Sequence, residues 1–368
     1  MSEKDVFIPP NKAMTPIIKA VGNACNLRCG YCFYNGTDQK SMRIMSGELL
    51  SQFFGQYLDI FSGKLRFVWH GGEPLLAGIP FYQEALRLQH QFAKSQDVIE
   101  NMVQTNATLI DDAWAEFFRA YDFKVGVSLD GDQVSHDCFR RDAGGKGTFQ
   151  RTVRGIRILK RHGITPGVIQ TVSKKNLGNL RSDFRFFAEE LGIRGWGINF
   201  FEAGSSSYGE ISNCGLTDRD VAGIYQILRE LWLEKNDSGL CLREIDNVVA
   251  GVVGRRAKNC SYNGSCANYF CLDADGRIWP CDRLSNSSEF LLGDLRSQDL
   301  REVLAGAPAR AHADKSRQLG SDCVLCQWRG ACNNGCTAMR DIKTGTYQYC
   351  KARQEAFQAM SDLLHQSK

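Results

Sequence analysis

Nowhere in the 368 residues does an uncharged apolar run reach the roughly 18 residues that span a bilayer. The opening stretch, MSEKDVFIPPNKAM, also lacks the apolar segment that directs secretion. These absences exclude a membrane partner by helix insertion and lead to the expectation of a cytoplasmic protein. Net charge is scarce as well, with 45 Lys and Arg against 41 Asp and Glu leaving +4. The basic run Arg151, Arg154, Arg157, Lys160 and Arg161 falls at helical spacing and reads as a solvated helix face, so no nucleic-acid partner is expected. There is no low-complexity linker, and 43% hydrophobic with 23% charged residues excludes a disordered chain.

What the chain does not lack is cysteine, of which it has 15. In a reducing compartment such a number points to metal or redox chemistry and not to a disulfide framework. Three of them stand within the eight residues of CNLRCGYC, Cys25 to Cys32, and ten follow residue 240.

Between residues 14 and 203 short β-like runs alternate with amphipathic helical stretches. The expected strands are TPIIKAVG, LRFVWHGG, IENMVQTN, FKVGVSLDG, TPGVIQTVS and GWGINFFEA. After the first, Ser46 can cap a helix that puts Leu49, Leu50, Phe53, Phe54, Tyr57 and Leu58 on one face. Further helices are expected near 79–95, 109–121, 148–162, 180–191 and 217–235. Repeated βα units imply a parallel sheet with helices outside, and six are too few for a closed eight-stranded barrel. The expected fold is therefore α/β, a partial (β/α)6 barrel over residues 1–240. A small cysteine-rich domain over 241–350, held by metal more than by an apolar core, and a C-terminal helix over 351–368 complete it. Chemistry belongs at the C-terminal strand ends, where the cysteine triad follows strand one and GGEP follows strand two.

Three thiolates at C-x3-C-x2-C admit two readings. One is zinc, which usually asks for four ligands. The other is a four-iron cluster with one iron left open for a small chelating molecule. CNLRCGYCFY, FVWHGGEPLL, QTNATLID and VGVSLDG, in this order, resemble the radical S-adenosylmethionine superfamily. The resemblance implies that Cys25, Cys29 and Cys32 hold a [4Fe-4S] cluster whose fourth iron is chelated by S-adenosylmethionine. Reductive cleavage would then give a 5'-deoxyadenosyl radical that abstracts hydrogen from substrate. It further implies that Tyr31 lies by the adenine. Gly71 and Gly72 allow close backbone approach, and Glu73 accepts a hydrogen bond from the methionine ammonium. Ser128 and Arg140 hold the ribose or carboxylate, with Gln104 and Asn106 on the strand edge between.

The later cysteines, Cys260, Cys266, Cys281, Cys323, Cys326, Cys332, Cys336 and Cys350, resemble the SPASM extension of these enzymes. By that resemblance Cys260, Cys266, Cys281 and Cys336 bind one auxiliary [4Fe-4S] cluster, and Cys323, Cys326, Cys332 and Cys350 a second. Three clusters in all are implied, the auxiliary pair fully ligated and suited to taking up an electron or to stapling the domain. Cys271 stands as an alternative to Cys266. Cys138, Cys214 and Cys241 are left over and read as buried small apolar residues.

Among SPASM proteins, CGYCFY, QTNATLID, VSLDG, CSYNGSC and IWPCD resemble anaerobic sulfatase-maturating enzymes, which oxidise a cysteine or serine to formylglycine. That implies Asp282 as general base, with Tyr34 and Trp69 lining the substrate cleft or belonging to the core. One departure is His70, where those enzymes usually carry glutamine; histidine there resembles ribosomal-peptide maturases that form cyclophane-type cross-links. The first strand starts near residue 14, so no leader-binding domain fits, a mild point for sulfatase maturation. Because position 70 adjoins the chemistry, the sequence favours a cross-linking peptide maturase, with formylglycine formation as the alternative. Partners implied are a precursor peptide or a sulfatase polypeptide and an electron donor of flavodoxin or ferredoxin type. A non-catalytic iron-sulfur carrier would explain the later cysteines but not the triad with GGEP.

Overall fold

The computed structural model describes residues 13–34, 42–202, 213–285 and 287–366. The expected domain ends at residues 1 and 368 and the last residue of the sixth expected strand, Ala203, lie outside them. All six expected strands form: β1 (Thr15–Lys19), β2 (Lys64–Trp69), β3 (Val98–Thr105), β4 (Lys124–Ser128), β5 (Gly167–Val172) and β6 (Gly195–Phe200). They pair in parallel in sequence order. Between them run α1 (Gly47–Ile60), α2 (Ile79–Phe92), α3 (Asp112–Ala120), α4 (Gln133–Phe139), α5 (Phe149–Arg161) and α6 (Leu180–Arg185). The strand side chains that alternate toward these helices, such as Leu65, Phe67, Trp69, Val103, Val125 and Val127, are buried in the core.

Local sequence explains the helix bounds. Ser46 accepts a hydrogen bond from the Leu49 amide at 3.2 Å, a cap worth about 1 kcal/mol. Its six expected apolar residues are all buried. Along α5 the basic residues sit on the solvent side of Val153, Ile156 and Leu159. The helix α7 (Asp218–Lys235) begins with a capping box between Thr217 and Asp220.

Two features extend the sheet beyond the six expected strands. The short strand β7 (Cys241–Leu242) pairs with β6, across the expected boundary at residue 240, and leads into α8 (Arg243–Val252). At the other edge β8 (Tyr269–Asp273) pairs in parallel with β1, followed by antiparallel β9 (Arg277–Trp279) and β10 (Gly293–Asp294). One ten-stranded sheet results. The final third therefore has an apolar core as well as its cysteines, with Phe270, Leu272, Ile278, Leu295, Phe357 and Met360 all buried. The C-terminal helix, Cys350–Gln366, packs on α7 and α8. Among the described residues no helix is long and apolar enough to cross a membrane.

Candidate active site

The C-terminal ends of β1 to β4 carry the loops in which the candidate residues stand. The triad loop after β1 is pinned to the segment after α4. Arg28 donates its amide to the Arg141 carbonyl at 2.7 Å, Gly30 to Phe139 at 2.9 Å, and Leu27 bridges Asp142. It is also pressed against GGEP: the Glu73 amide donates to the Ala24 carbonyl at 2.8 Å. Gly72 has φ +53°, and a Cβ there would come within 2.0 Å of the Ala24 oxygen, so only glycine fits. Gly71, at φ +87°, leaves room for the Lys19 stem, which a Cβ would meet at 2.4 Å. Gly72 thus serves the approach of two loops of the chain to each other, and Gly71 the passage of the Lys19 side chain.

Burial pushes the Cys25, Cys29 and Cys32 thiols up from their ordinary value. Neighbouring acidic groups add to this, the other thiols among them for Cys25 and Cys29. Thiolates that repel one another in a buried loop fit a cationic group that takes the place of their protons. The later cysteines gather in two sets. Cys260, Cys266, Cys281 and Cys336 line one cavity of about 390 Å³, and Cys323, Cys326, Cys332 and Cys350 a smaller void against Trp328 and Phe357. Cys281 is pushed up to about 12 by burial and by Cys336 beside it. None of the 15 cysteines is in a disulfide. Among the described residues no three His, Cys, Asp or Glu side chains converge on a single ion. Cys271 is fully buried on β8, where Asp282 and Lys19 are its charged neighbours, whereas Cys266 lines the first cavity. Of the leftover thiols Cys214 is buried and Cys138 half-buried. Cys241 instead is exposed, its thiol donating to Asp246 at 2.8 Å, because β7 lies at the sheet edge.

Asp282 joins the three candidate catalytic residues. One carboxylate oxygen accepts from the Tyr34 hydroxyl, and the other lies 2.7 Å from His70 Nδ1. Burial alone would raise its pKa, but the charge and close contact of His70, then the charge of Lys19 and the Tyr34 bond, lower it to about 2. Lys19, which the sequence reading passed over, is fully buried. Its ammonium donates to Asp273 at 2.9 Å and to Ser285 at 3.3 Å, and lies 4.7 Å from the Tyr34 ring centroid. Ser285 in turn donates to the Asp282 carbonyl at 2.8 Å. A lysine inside the apolar run TPIIKAVG was the available signal. Trp69 belongs to the core, its indole donating to Asn101 at 2.9 Å on the helix side of the sheet.

The candidate cofactor-binding residues form a second network. Glu73, fully buried, accepts from Thr105 at 2.7 Å, from the Leu75 amide at 3.1 Å and from the Asn106 amide at 2.8 Å. A carboxylate has about four acceptor directions, so one remains for a ligand ammonium. Asn106 donates to Asn26 at 2.9 Å and reaches Cys25 Sγ at 3.8 Å, bracing the triad loop. Gln104 donates to Ser128 at 3.0 Å across β3 and β4. Tyr31 and Arg140 converge on buried Asp130: the phenol donates to its carboxylate, and Arg140 Nε does so at 2.8 Å. Asp130 also accepts from the Thr171 amide at 2.8 Å. Its place in VSLDG was visible, but its partners were not.

The Radical SAM superfamily model matches residues 20–175, and the iron-sulfur cluster-binding SPASM model matches residues 260–327. The chain is 28% identical over 361 residues to the cysteine-type anaerobic sulfatase-maturating enzyme of Clostridium perfringens, covering 95% of this chain and 96% of that one. It is 30% identical over 328 residues to the serine-type enzyme of Klebsiella aerogenes, covering 88% and 79%. The solved structure of native anSMEcpe with bound AdoMet superposes at TM-score 0.85 with 26% identity, covering 95% of this chain and 98% of that one. Streptococcus suis SuiB bound to its precursor peptide SuiA shares the fold at TM-score 0.67 and 14% identity, covering 92% and 76%. Matched by both domain models and by near full-length relatives, the chain belongs to the radical SAM/SPASM enzymes, in the family of the anaerobic sulfatase-maturating enzymes.

Proposed function

We propose that this enzyme oxidises a side chain of a protein or peptide by two electrons, converting a cysteine or serine to formylglycine. The observation that carries the reading is Asp282, a carboxylate held ionised between Tyr34 and His70 beside a cavity lined by four cysteines. Relatives named as sulfatase-maturating enzymes, matched along nearly the whole chain, support it over the cross-linking reading that the sequence alone favoured.

In this reading Cys25, Cys29 and Cys32 hold the cluster that binds S-adenosylmethionine, and the two later quartets hold two further [4Fe-4S] clusters. When bound, this group supplies a radical able to remove a hydrogen atom from an unactivated C–H bond. Glu73, with one acceptor direction free, takes the ligand ammonium, while Arg140 and Tyr31 are steadied by Asp130. The proton of the substrate thiol or hydroxyl passes to Asp282, whose ionised form is the one that accepts it. Lys19 and Ser285 hold the Asp282 main-chain carbonyl from behind, and an external one-electron donor of flavodoxin or ferredoxin type would supply the electron that starts each turnover.

One observation keeps the cross-linking reading as second: His70 touches Asp282 directly, so its identity bears on which substrate atom loses its proton. Anaerobic incubation with S-adenosylmethionine, a strong reductant and either a sulfatase-type cysteine peptide or a precursor peptide separates the two. Exchange of sulfur for a carbonyl oxygen in the product mass supports formylglycine. Loss of two hydrogens with sulfur retained and a new internal link supports the second reading.

A further inference from the structure

Arg353, on the C-terminal helix, is only 1% exposed, yet among the described residues no carboxylate pairs with it. Its guanidinium lies between the rings of Tyr262, at 4.0 Å, and Tyr347, at 4.2 Å, and donates to the Ser261 carbonyl at 2.6 Å. Its Nε has no hydrogen-bond partner among the described residues. Aromatic faces and a carbonyl attract a cation, but neither carries a full opposite charge, and an uncompensated buried charge is costly. Arg283, which borders the cavity of the first quartet, shows the ordinary arrangement, since Glu202 pairs with it at 2.7 Å.

What surrounds Arg353 in place of a carboxylate is cysteine. Its Nη1 reaches Cys332 Sγ of the second quartet at 3.8 Å, and its side chain also borders the cavity of the first quartet. Tyr347, beneath it, borders the spaces of both. Arg340 repeats the pattern. It is half-buried, and its N–H groups go to the main-chain carbonyls of Asn334, Lys315, Ser316 and Gln318 at 2.9–3.1 Å. The ionisable groups that act on it are Cys266 and Cys336 of one quartet and Cys323 and Cys332 of the other. Neutral donors are turned onto the sulfurs as well: the Thr337 hydroxyl stands 3.3 Å from Cys266 Sγ, and the Gln354 amide 3.4 Å from Cys326 and 3.6 Å from Cys350. A thiol is a weak acceptor, so donors and carboxylate-free cations gathered on the same sulfurs fit thiolates.

We infer that Arg353 and Arg340 are the counter-charge shared by the two auxiliary clusters, and that they favour the reduced state of each. Four thiolates on a four-iron core leave a negative charge that grows by one on reduction, and net charge, hydrogen bonds to sulfur and exposure set the potential. A permanent cation beside both quartets stabilises the more negative state, and burial leaves its field little screened. The two arginines thereby make the quartets better acceptors of the electron that the substrate gives up after hydrogen abstraction. This inference rests on the reading of both quartets as cluster ligands.

The test is a potentiometric titration of the anaerobically reconstituted holoenzyme followed by electron paramagnetic resonance, and repeated with S-adenosylmethionine to mark the triad's signal. Arg353→Met is expected to make an auxiliary cluster at least tenfold harder to reduce, which for one electron lowers its midpoint by about 59 mV or more. Arg353→Lys, which keeps the charge, is expected to stay within about threefold of wild type, and Arg340→Met to shift in the same direction as Arg353→Met. Unchanged midpoints in Arg353→Met overturn the inference. So does a shift in Arg353→Lys as large as that in Arg353→Met, which assigns the residue to packing. If Arg353→Met does not keep its iron, Arg340→Met and Arg340→Lys are read in its place by the same criteria, and loss of iron from both methionine variants makes the pair a structural clamp and overturns the inference. A wild-type chain that holds only the triad's iron overturns the reading of the quartets itself.

Discussion

His70 Nδ1 lies 2.7 Å from Asp282 Oδ2, and the two residues come from sequence segments more than two hundred positions apart. The contact exists because β8 docks beside β1 and brings the turn after β9 over the end of β2. It sets a ring nitrogen against the Asp282 carboxylate, at contact distance but not aligned as a hydrogen bond. Glutamine can bring an amide nitrogen to the same oxygen, so His70→Gln is expected to reduce product formation less than tenfold. Asp282→Asn removes the proton acceptor and is expected to lower turnover by roughly 10²–10⁴-fold. Single-turnover product assays on both variants check this; equal losses would deny Asp282 a role beyond holding His70.

Lys19 and Asp273 form a buried ion pair that joins β1 to β8. Lys19→Met leaves Asp273 as an uncompensated buried charge, expected to cost about 3–5 kcal/mol. Asp273→Leu added to it should recover most of that loss. Denaturant titration of the two variants measures both. The recovered double variant is still expected to be slow in product formation, because the ammonium near Tyr34 and Asp282 is gone.

A pH dependence follows from Asp183, which burial, then nearby Asp132 and Asp130, push up to about 7 against two hydrogen bonds that oppose the shift. A carboxyl whose folded pKa lies above its unfolded value favours the fold in its protonated form. Its contribution is full below the unfolded value, near 4, and is lost as pH rises through about 7. Asp183→Asn keeps the neutral form at every pH, and once the Gln170 amide turns over it can donate to Gln170 Oε1, which has no hydrogen-bond partner among the described residues. Thermal melts are expected to show the variant about 2–4 °C above wild type at pH 8, with the difference closing by pH 5. A pH-independent difference would contradict it.

Iron content tests the quartets separately. Three four-iron clusters imply about twelve irons per chain, one iron for each of four sites in each cluster. The paired change Cys323→Ala with Cys326→Ala is expected to leave about eight after anaerobic reconstitution, with the first quartet still spectroscopically present. Twelve irons in that variant would deny the second quartet its cluster.

Much of the barrel was legible in the sequence because its strands are short apolar runs between amphipathic helices, and β1 to β6 lie where that pattern placed them. The triad stood out by its spacing, whereas the roles of GGEP and the division of the later cysteines into two quartets came from the family resemblance; in the structure each quartet lines one space. What stayed hidden depends on long-range pairing. The strand Tyr269 to Asp273 looked like part of a separate domain, since nothing local announces a parallel partner 254 residues earlier. Lys19 gains its meaning only from Asp273 and Ser285 across that join. Asp130 likewise acquires Tyr31, Arg140 and Thr171 from three different loops and strands. The helix 300–305 escaped the sequence reading because it is too short to show a period, and 307–317 because it is mostly polar.

The central claim, oxidation of a cysteine β-carbon to an aldehyde, is tested most directly with a sulfatase-type peptide dideuterated at that carbon. The peptide is incubated anaerobically with the enzyme, S-adenosylmethionine and reductant. The account predicts one deuterium in the 5'-deoxyadenosine formed and a peptide aldehyde that keeps the other. Deuterium-free 5'-deoxyadenosine, or a product that keeps its sulfur and gains an internal link, would contradict it.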